Sequence, residues 1–480
     1  MTTGRQMVSL TRVTGILLAG RVVGFGLLLI NSVVLARSLG VEALGTYGYA
    51  TGLAALFGLV PNLGITTLIT RAVAQDPDHS REFFRRARQA QAVLGAAVFV
   101  AVVLLAAILP YRLVPIEQVA LAALQLSIGS FSWPYLALLG GRSRYDRLAL
   151  SEFVTGVGGT GIVLMTAVWF GTVTSFLCAN VVTALVANVV ARIVAKPFLP
   201  VSDGPACSFG TLFRQAIPFG TGAIVQSLYR RVDMVLLGQL TSAATVGLYS
   251  AAYKPINMLL NFGSSAAGTL FPFLVQESRS GPSGTFDRVL RVFVVVAPVV
   301  ALLFSGLARP LLVLLYGPEF TAAATMLSIL AWSAAANWLY APVSIALQAR
   351  GMERWWMAGS SAAFIVNVSL NWWLIPRWGG EGAAVATLVC EGWLLIAGMW
   401  VLQRTWNMAP AVHTSLACCA ATLCSAGLLF GLRPWGDVAA TAGAVTLYAA
   451  LTFLFRVATT DDIAKLLGRF RESMYGHARA

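Results

Sequence analysis

The chain has 480 residues, 58% of them hydrophobic and only 11% charged, with a mean hydropathy of +0.77. A soluble domain carries about 25% charged residues, so this chain lacks the charge to cover a water-soluble surface. The net charge of +14 matches nucleic acid in sign alone, because the cations stand in short clusters between apolar runs and form no basic face with interleaved aromatics.

An apolar run of about 20 residues crosses the hydrocarbon core as a helix. Such runs are predicted over 14–36, 44–70, 90–110, 117–139, 149–170, 173–195, 213–239, 245–274, 289–308, 322–347, 355–375, 381–402, 412–432 and 438–457. The expected fold is therefore an all-α integral membrane protein of about 14 transmembrane helices. The first run, Thr14 to Ala36, follows Arg5 and Arg12; it exceeds the apolar core of a signal peptide, about 7–15 residues, and reads as a retained first helix. Pro61, Pro218, Pro255, Pro298 and Pro342 are candidate kink points.

Orientation follows from Lys and Arg in alternate connections. One set holds 24; the other holds five, Arg37, Arg112, Arg309, Arg377 and Arg433; four lie inside spans, which completes the 33. The positive-inside rule then puts both termini in the cytoplasm; the expected location is a bacterial inner membrane. No connection exceeds about twenty residues, which favours transport over a polymerase with an external catalytic loop. Glu42, Glu117, Glu319, Glu381 and Asp437 on the external side are widely spaced, unlike the positioned carboxylates a glycosyltransferase needs. A G-x-x-x-x-G-K-[ST] loop is missing too, which argues against direct ATP drive. Of six cysteines only Cys207 lies outside an apolar run, and His79, His413 and His477 are far apart. Neither a disulfide framework, a metal site nor a cofactor is expected.

Two helix junctions look alike: VVLARSLGVEALGTYGYATGL (Val33 to Leu53) and MVLLGQLTSAATVGLYSAAYKP (Met234 to Pro255). Each passes through a short polar connection to Gly-x-Tyr, at Gly45–Tyr47 and Gly247–Tyr249, 202 residues apart. Repeated six-helix halves of a transporter have this pattern.

With LARSLGVEALGTYGYA (35–50), DMVLLGQLTSAATVGLYSAAYK (233–254), PLLVLLYGPEF (310–320), ALQARGMER (346–354) and NVSLNWWLIPRWGGEGAAVAT (367–387), the chain resembles the polysaccharide-transporter (Wzx-type oligosaccharide flippase) family. That family belongs to the multidrug/oligosaccharidyl-lipid/polysaccharide exporter superfamily. The resemblance implies two six-helix bundles, here 1–197 and 198–404, around a central cavity, with two added helices and a tail in 405–480. It also implies a polyprenyl-diphosphate-linked oligosaccharide as cargo. Membrane lipids, a polysaccharide polymerase and export machinery are the expected partners, and nucleic acid is not. A lipid II or multidrug exporter of the same superfamily is the alternative; acidic cavities would suit cationic drugs better than the cations found here.

Ionisable residues inside spans mark pathways or pair with polar partners. Arg230 and Lys254 lie at similar depth on two helices of one hairpin, about 14 Å in at 1.5 Å per residue. With Arg231 they form a candidate cationic patch for a diphosphate; alternatively Arg230 pairs with Asp233, three residues on. Arg21, beside Gly20 and Gly24, either joins the substrate site or snorkels to the cytoplasmic edge. Glu391 is the carboxylate nearest a span centre and, with Asp233, a candidate for carrying a coupling ion; a buried salt bridge is the other reading. Glu152 is expected to anchor a helix end. Asn257 with Asn261, and Asn367 with Asn371, share helix faces, to bond sugar hydroxyls or to join helices.

Overall fold

The computed structural model describes residues 2–108, 114–202, 208–268, 285–406 and 412–455. Every regular element among them is helical: α1 (Thr2–Leu56), α2 (Ile65–Gln75), α3 (Arg81–Ile108), α4 (Ile116–Ser130), α5 (Trp133–Gly141), α6 (Tyr145–Trp169), α7 (Val173–Ala195), α8 (Phe209–Tyr229), α9 (Val232–Leu240), α10 (Ala243–Gly268), α11 (Thr285–Gly306), α12 (Ala308–Tyr316), α13 (Ala324–Ala349), α14 (Glu353–Trp406), α15 (Val412–Leu432) and α16 (Asp437–Leu454). Ten helical stretches among the described residues are long and apolar enough to cross a membrane. Two of them contain a non-helical glycine, Gly40 (φ 74°) in α1 and Gly379 (φ 54°) in α14; there the chain turns between helices. The figure of fourteen spans rests on the sequence.

Burial runs opposite to that of a soluble protein. Val93, Val100, Leu104 and Ile108 on α3 and Leu164, Met165 and Val168 on α6 are exposed, while Gln91, Ser127, Ser130, Asn367 and Asn371 are buried. An aliphatic outer surface around a polar-dotted interior is what a hydrocarbon solvent selects. The chain is a multi-pass membrane protein.

Several runs that hydropathy reads as single helices are interrupted. The second is split into the end of α1 and α2 by a turn containing Pro61, Leu63 (φ 39°) and Gly64 (φ 82°). Asn62 Oδ1 closes that turn, accepting from the Thr66 N–H at 3.0 Å and the Thr66 hydroxyl at 2.8 Å. The fourth is split into α4 and α5 just before Pro134, which brings no N–H to the ladder. By contrast, Pro255, Pro298 and Pro342 stay inside α10, α11 and α13.

The described chain divides into two compact units, Met1–Ser250 and Ala251–Ala480. In the first, α1 packs on α6, α4 and α9, and α4 packs between α3 and α7. Ile65, Ile69, Ala87, Leu138, Ala195 and Leu212 form a core joining α2, α3, α5, α7 and α8. At the end of this unit expected in the cytoplasm, Arg81 N–H donates to the Ser202 carbonyl at 3.2 Å and Ser202 N–H to the Asp78 carbonyl at 3.0 Å. These bonds fasten the connection after α7 to the connection before α3.

In the second unit α13 packs on both α11 and α14. The Trp338 indole N–H donates to the Leu259 carbonyl at 2.8 Å, and its ring lies against Phe262 and Phe293. Helices α15 and α16 pair with each other and dock on α11 through Leu302, Leu429, Ala440, Ala444 and Tyr448. Arg433 Nη2 fastens this corner, donating to the Ser305 carbonyl at 3.0 Å and the Ser328 hydroxyl at 3.3 Å.

Candidate functional site

Arg230 and Arg231 are the joint of an interrupted span, not residues of a continuous helix. Arg230 is the C-cap of α8 and Arg231 the N-cap of α9; Arg230 is half-buried and Arg231 exposed. The Arg230 N–H reaches the Gln226 carbonyl and the Arg231 N–H the Leu228 carbonyl, both at 3.1 Å. This joint changes the partner of Asp233. The i,i+3 spacing to Arg230 brings two side chains together only on an unbroken helix, and here the helix is broken between them. Asp233, 5% exposed, instead accepts hydrogen bonds from the Tyr249 hydroxyl on α10 and from the Met234 N–H at 2.8 Å.

That tyrosine belongs to the second Gly-x-Tyr, and the two copies of the repeat meet within the first unit. A Cβ added at Gly45 would stand 1.8 Å from the Ala243 carbonyl oxygen, and one at Gly247 would stand 1.9 Å from the Val41 carbonyl oxygen. Positions 41 and 243 are 202 apart, as are 45 and 247, so the contact is reciprocal in the sense of a two-fold axis. Backbones approach this closely only where the residue facing the carbonyl, Gly45 on one side and Gly247 on the other, lacks a side chain. The seam continues along α1. Gly48 faces Ser250, Gly52 faces Met234, and the Tyr49 ring covers Gly238, while the Tyr49 hydroxyl accepts from the Gln239 amide. Asn31 is the repeat counterpart of Asp233, again 202 residues earlier. The equivalent tyrosine, Tyr47, does not mirror Tyr249, because its hydroxyl accepts from Asn180 Nδ2 at 2.7 Å.

Lys254, Asn257, Asn371 and Glu391 fall in the second unit. Lys254 has its Nζ buried without a hydrogen-bond partner among the described residues. Asn257, three residues on, is half-buried and Asn261 is exposed. Asn371 is fully buried and donates to the Asn367 carbonyl and side-chain oxygen, both at 2.9 Å. It thus spends its amide hydrogens on its own helix. Glu391, 5% exposed, accepts from Asn337 Nδ2 on α13 at 3.0 Å, where the sequence offered a buried cation as partner. Arg21 falls on α1, whose side chains are described only from Val23 onward, so it lies outside the described residues. The sequence reading passed over Asn337, Tyr249 and Asn180. Asn337 and Asn180 are polar residues inside apolar runs, the signal that picked out Asn371; Tyr249 lay inside the recognised repeat. Among the described residues, no group of three His, Cys, Asp or Glu side chains suits a metal ion.

Residues 10–278 match the family described as polysaccharide biosynthesis protein. The chain belongs to this family. Among curated relatives, the probable flippase AglR of Haloferax volcanii is 23% identical over 399 residues, covering 80% of this chain and 81% of the relative. The probable low-salt glycan biosynthesis flippase Agl15 of the same organism is 24% identical over 212 residues, covering 43% of this chain and 44% of the relative. Solved structures agree on the fold. The lipid II flippase MurJ in an inward closed conformation superposes with a TM-score of 0.68 at 11% identity, over 92% of this chain and 98% of that one. An inward-facing multidrug resistance MATE family transporter of the MOP superfamily gives 0.59 at 14%, over 80% and 96%. The fold is that of the multidrug/oligosaccharidyl-lipid/polysaccharide exporters, as the sequence motifs implied. Flippases and transporters, not enzymes, are the relatives and fold neighbours of this family member.

Proposed function

We propose that this chain is a flippase carrying a polyprenyl-diphosphate-linked oligosaccharide across the bacterial inner membrane by alternating access. In this reading residues 1–197 and 198–404 are the two six-helix bundles, 405–480 adds two helices and a tail, and both termini are cytoplasmic. Family membership and the flippase relatives support it. The observation that carries it is Lys254, whose buried ammonium lacks a hydrogen-bond partner among the described residues. A low-dielectric interior does not keep an ammonium uncompensated, and a diphosphate arriving as cargo supplies the anion.

Arg230 and Arg231 stand at a helix joint and offer planar donor forks matched to phosphate oxygens; Arg21 is assigned to the same task. Asn257, on the helix of Lys254, is assigned to sugar hydroxyls. Asn371 is the weakest member of the set, its amide hydrogens being already used. Glu391 and Asp233 are the candidates for a coupling ion, each buried with neutral hydrogen-bond partners. A polysaccharide polymerase and export machinery are the partners assigned to the released product.

The test is a deletion strain in which labelled polyprenyl-diphosphate oligosaccharide is assayed on each face of the inner membrane. Accumulation on the cytoplasmic face is expected, cured by the wild-type gene and not by the Arg230→Ala/Arg231→Ala/Lys254→Ala variant. Surface polysaccharide at wild-type level from the triple variant would overturn the cationic site. Normal transfer without the gene, combined with loss of viability, would shift the cargo to lipid II.

A further inference from the structure

The chain passes from the first unit to the second once, between Ser250 and Ala251, inside α10. The two halves of that helix are held by different units. In its first half Gly247 stands against the Val41 carbonyl, Ser250 faces Gly48 and donates to Met234 Sδ at 3.4 Å, and the Tyr249 hydroxyl donates to Asp233; these partners all belong to the first unit. In its second half the Leu259 carbonyl accepts from the Trp338 indole, and Phe262 and Gly263 lie against the same ring, in the second unit. Between these two grips stand Lys254 and Pro255. Proline brings no N–H, so the Ala251 carbonyl loses its helical donor, and Ala251 is the first residue beyond the division. Pro298, Pro342 and Pro376 also lie inside helices, but α11, α13 and α14 belong wholly to the second unit.

We propose that α10 is a hinge that bends at Pro255 during transport, and that cargo bound at Lys254 sets the bend. Resting on the flippase reading, this hinge gives the place where binding becomes movement. From Ser250 to Leu259 the helix runs about 14 Å at 1.5 Å per residue, and Pro255 stands near the middle of that stretch. A helix short of one ladder bond, with a ring pressed against the carbonyl one turn back, bends there more readily than along an intact ladder. Bending anywhere else in α10 would break a complete turn or disturb one of the two grips. Lys254 adjoins Pro255, and its buried Nζ has no hydrogen-bond partner among the described residues. An anion arriving there offsets the cost of a buried charge. The gain differs between the straight and the bent helix, because bending moves the ammonium relative to the residues held on either side. A ligand shifts an equilibrium only through such a difference in affinity.

The experiment uses the full chain in lipid nanodiscs, with spin labels carried by non-natural amino acids at Ser242, just before α10, and at Ser264, both exposed. A straight helix sets these positions about 33 Å apart at 1.5 Å per residue. The wild type is expected to give two distance populations, whose ratio shifts about threefold on adding a synthetic polyprenyl-diphosphate disaccharide. Lys254→Met is expected to keep both populations and lose the shift. Pro255→Ala restores the N–H; it is expected to leave only the long distance and to slow flipping of the probe in proteoliposomes about tenfold, with probe affinity kept within about twofold. Pro255→Gly also restores the N–H but stiffens the helix less than alanine, and is expected to melt below Pro255→Ala and flip the probe faster. That opposite order of stability and activity is what a mere packing role for Pro255 would not give. One unchanging distance in the wild type, with the probe bound and flipped, would overturn the hinge and leave the flippase reading standing, and this readout needs no variant to fold. Flipping at the wild-type rate by Pro255→Ala would overturn it too, and a shift that survives Lys254→Met would detach the bend from the cargo. A probe that neither binds nor moves, with two distances that still depend on Pro255, would keep the hinge and count against the proposed cargo.

Discussion

The two units hold themselves together in different ways. In the first, the tightest contacts are backbone on backbone, Gly45 against Ala243 and Gly247 against Val41, between helices that are repeatedly interrupted. In the second, long helices are joined through side chains. Trp338 reaches the Leu259 carbonyl, Asn337 reaches Glu391, and Arg433 ties α15 and α16 to the neighbouring helices. A backbone seam is all or nothing, since any added atom forces the helices apart. Side-chain contacts degrade by steps, one hydrogen bond or one void at a time. The first unit thus depends on a contact that tolerates no added atom, and the second on contacts that can be weakened one at a time.

The comparison is broken most directly at Gly247. Gly247→Leu drives a side chain into the Val41 carbonyl and is expected to cost about 3 kcal/mol or more in thermal or denaturant unfolding. Gly263→Ala meets the Trp338 ring, at 2.5 Å, a side chain and not a backbone carbonyl, and about 1–2 kcal/mol is expected. Equal costs at the two glycines would remove the distinction between the units. Next in size is Tyr249→Phe, which withdraws the hydroxyl from Asp233 and is expected to cost about 2 kcal/mol, as for a hydrogen bond to a charged group. A double-mutant cycle with Asp233→Asn isolates that coupling. Asn337→Ala leaves Glu391 one donor short, for about 1–2 kcal/mol. Its effect on unfolding should be the same whether or not the seam has been opened by Gly247→Leu, because the two sites share no partner.

A smaller change, about 1 kcal/mol, is expected for Trp338→Phe, which keeps a ring over Gly263 and loses the indole N–H. Smallest of all is the exposed loop contact between His79 and Asp76, 3.0 Å apart. The hydrogen bond from the His79 ring holds the Asp76 carboxyl below the usual aspartate value. Its contribution is therefore present at neutral pH and is lost as pH falls through the aspartate range. At such an exposed site His79→Ala should leave the melting temperature unmoved at pH 7.

Much of this was legible beforehand for a physical reason. Length and apolarity set the spans, and the 202-residue spacing of the Gly-x-Tyr motifs carried the repeat, because both are local properties of the chain. The interruption at Pro61 was marked by its proline. The joint at Arg230 and Arg231 was not, as neither residue is a helix breaker and the flanking apolar run reads straight through. Once that helix was taken as continuous, Arg230 became the natural partner of Asp233, and Tyr249 was missed. Glu391 failed to disclose Asn337 for a related reason. The two stand 54 residues apart, and no spacing rule along one helix connects them.

The reciprocal seam at Gly45 and Gly247 also bears on how this family can be studied by comparing sequences. Contacts are usually inferred from pairs of positions that change together, one substitution compensating for another. Here each glycine is confined by its partner's carbonyl oxygen, which every residue possesses, so no replacement across the seam relieves the crowding. The two positions are expected to stay fixed independently, without any correlated drift. The closest approach in the first unit would then leave no trace in covariation, and a contact map built from related sequences would be faintest where the helices are nearest.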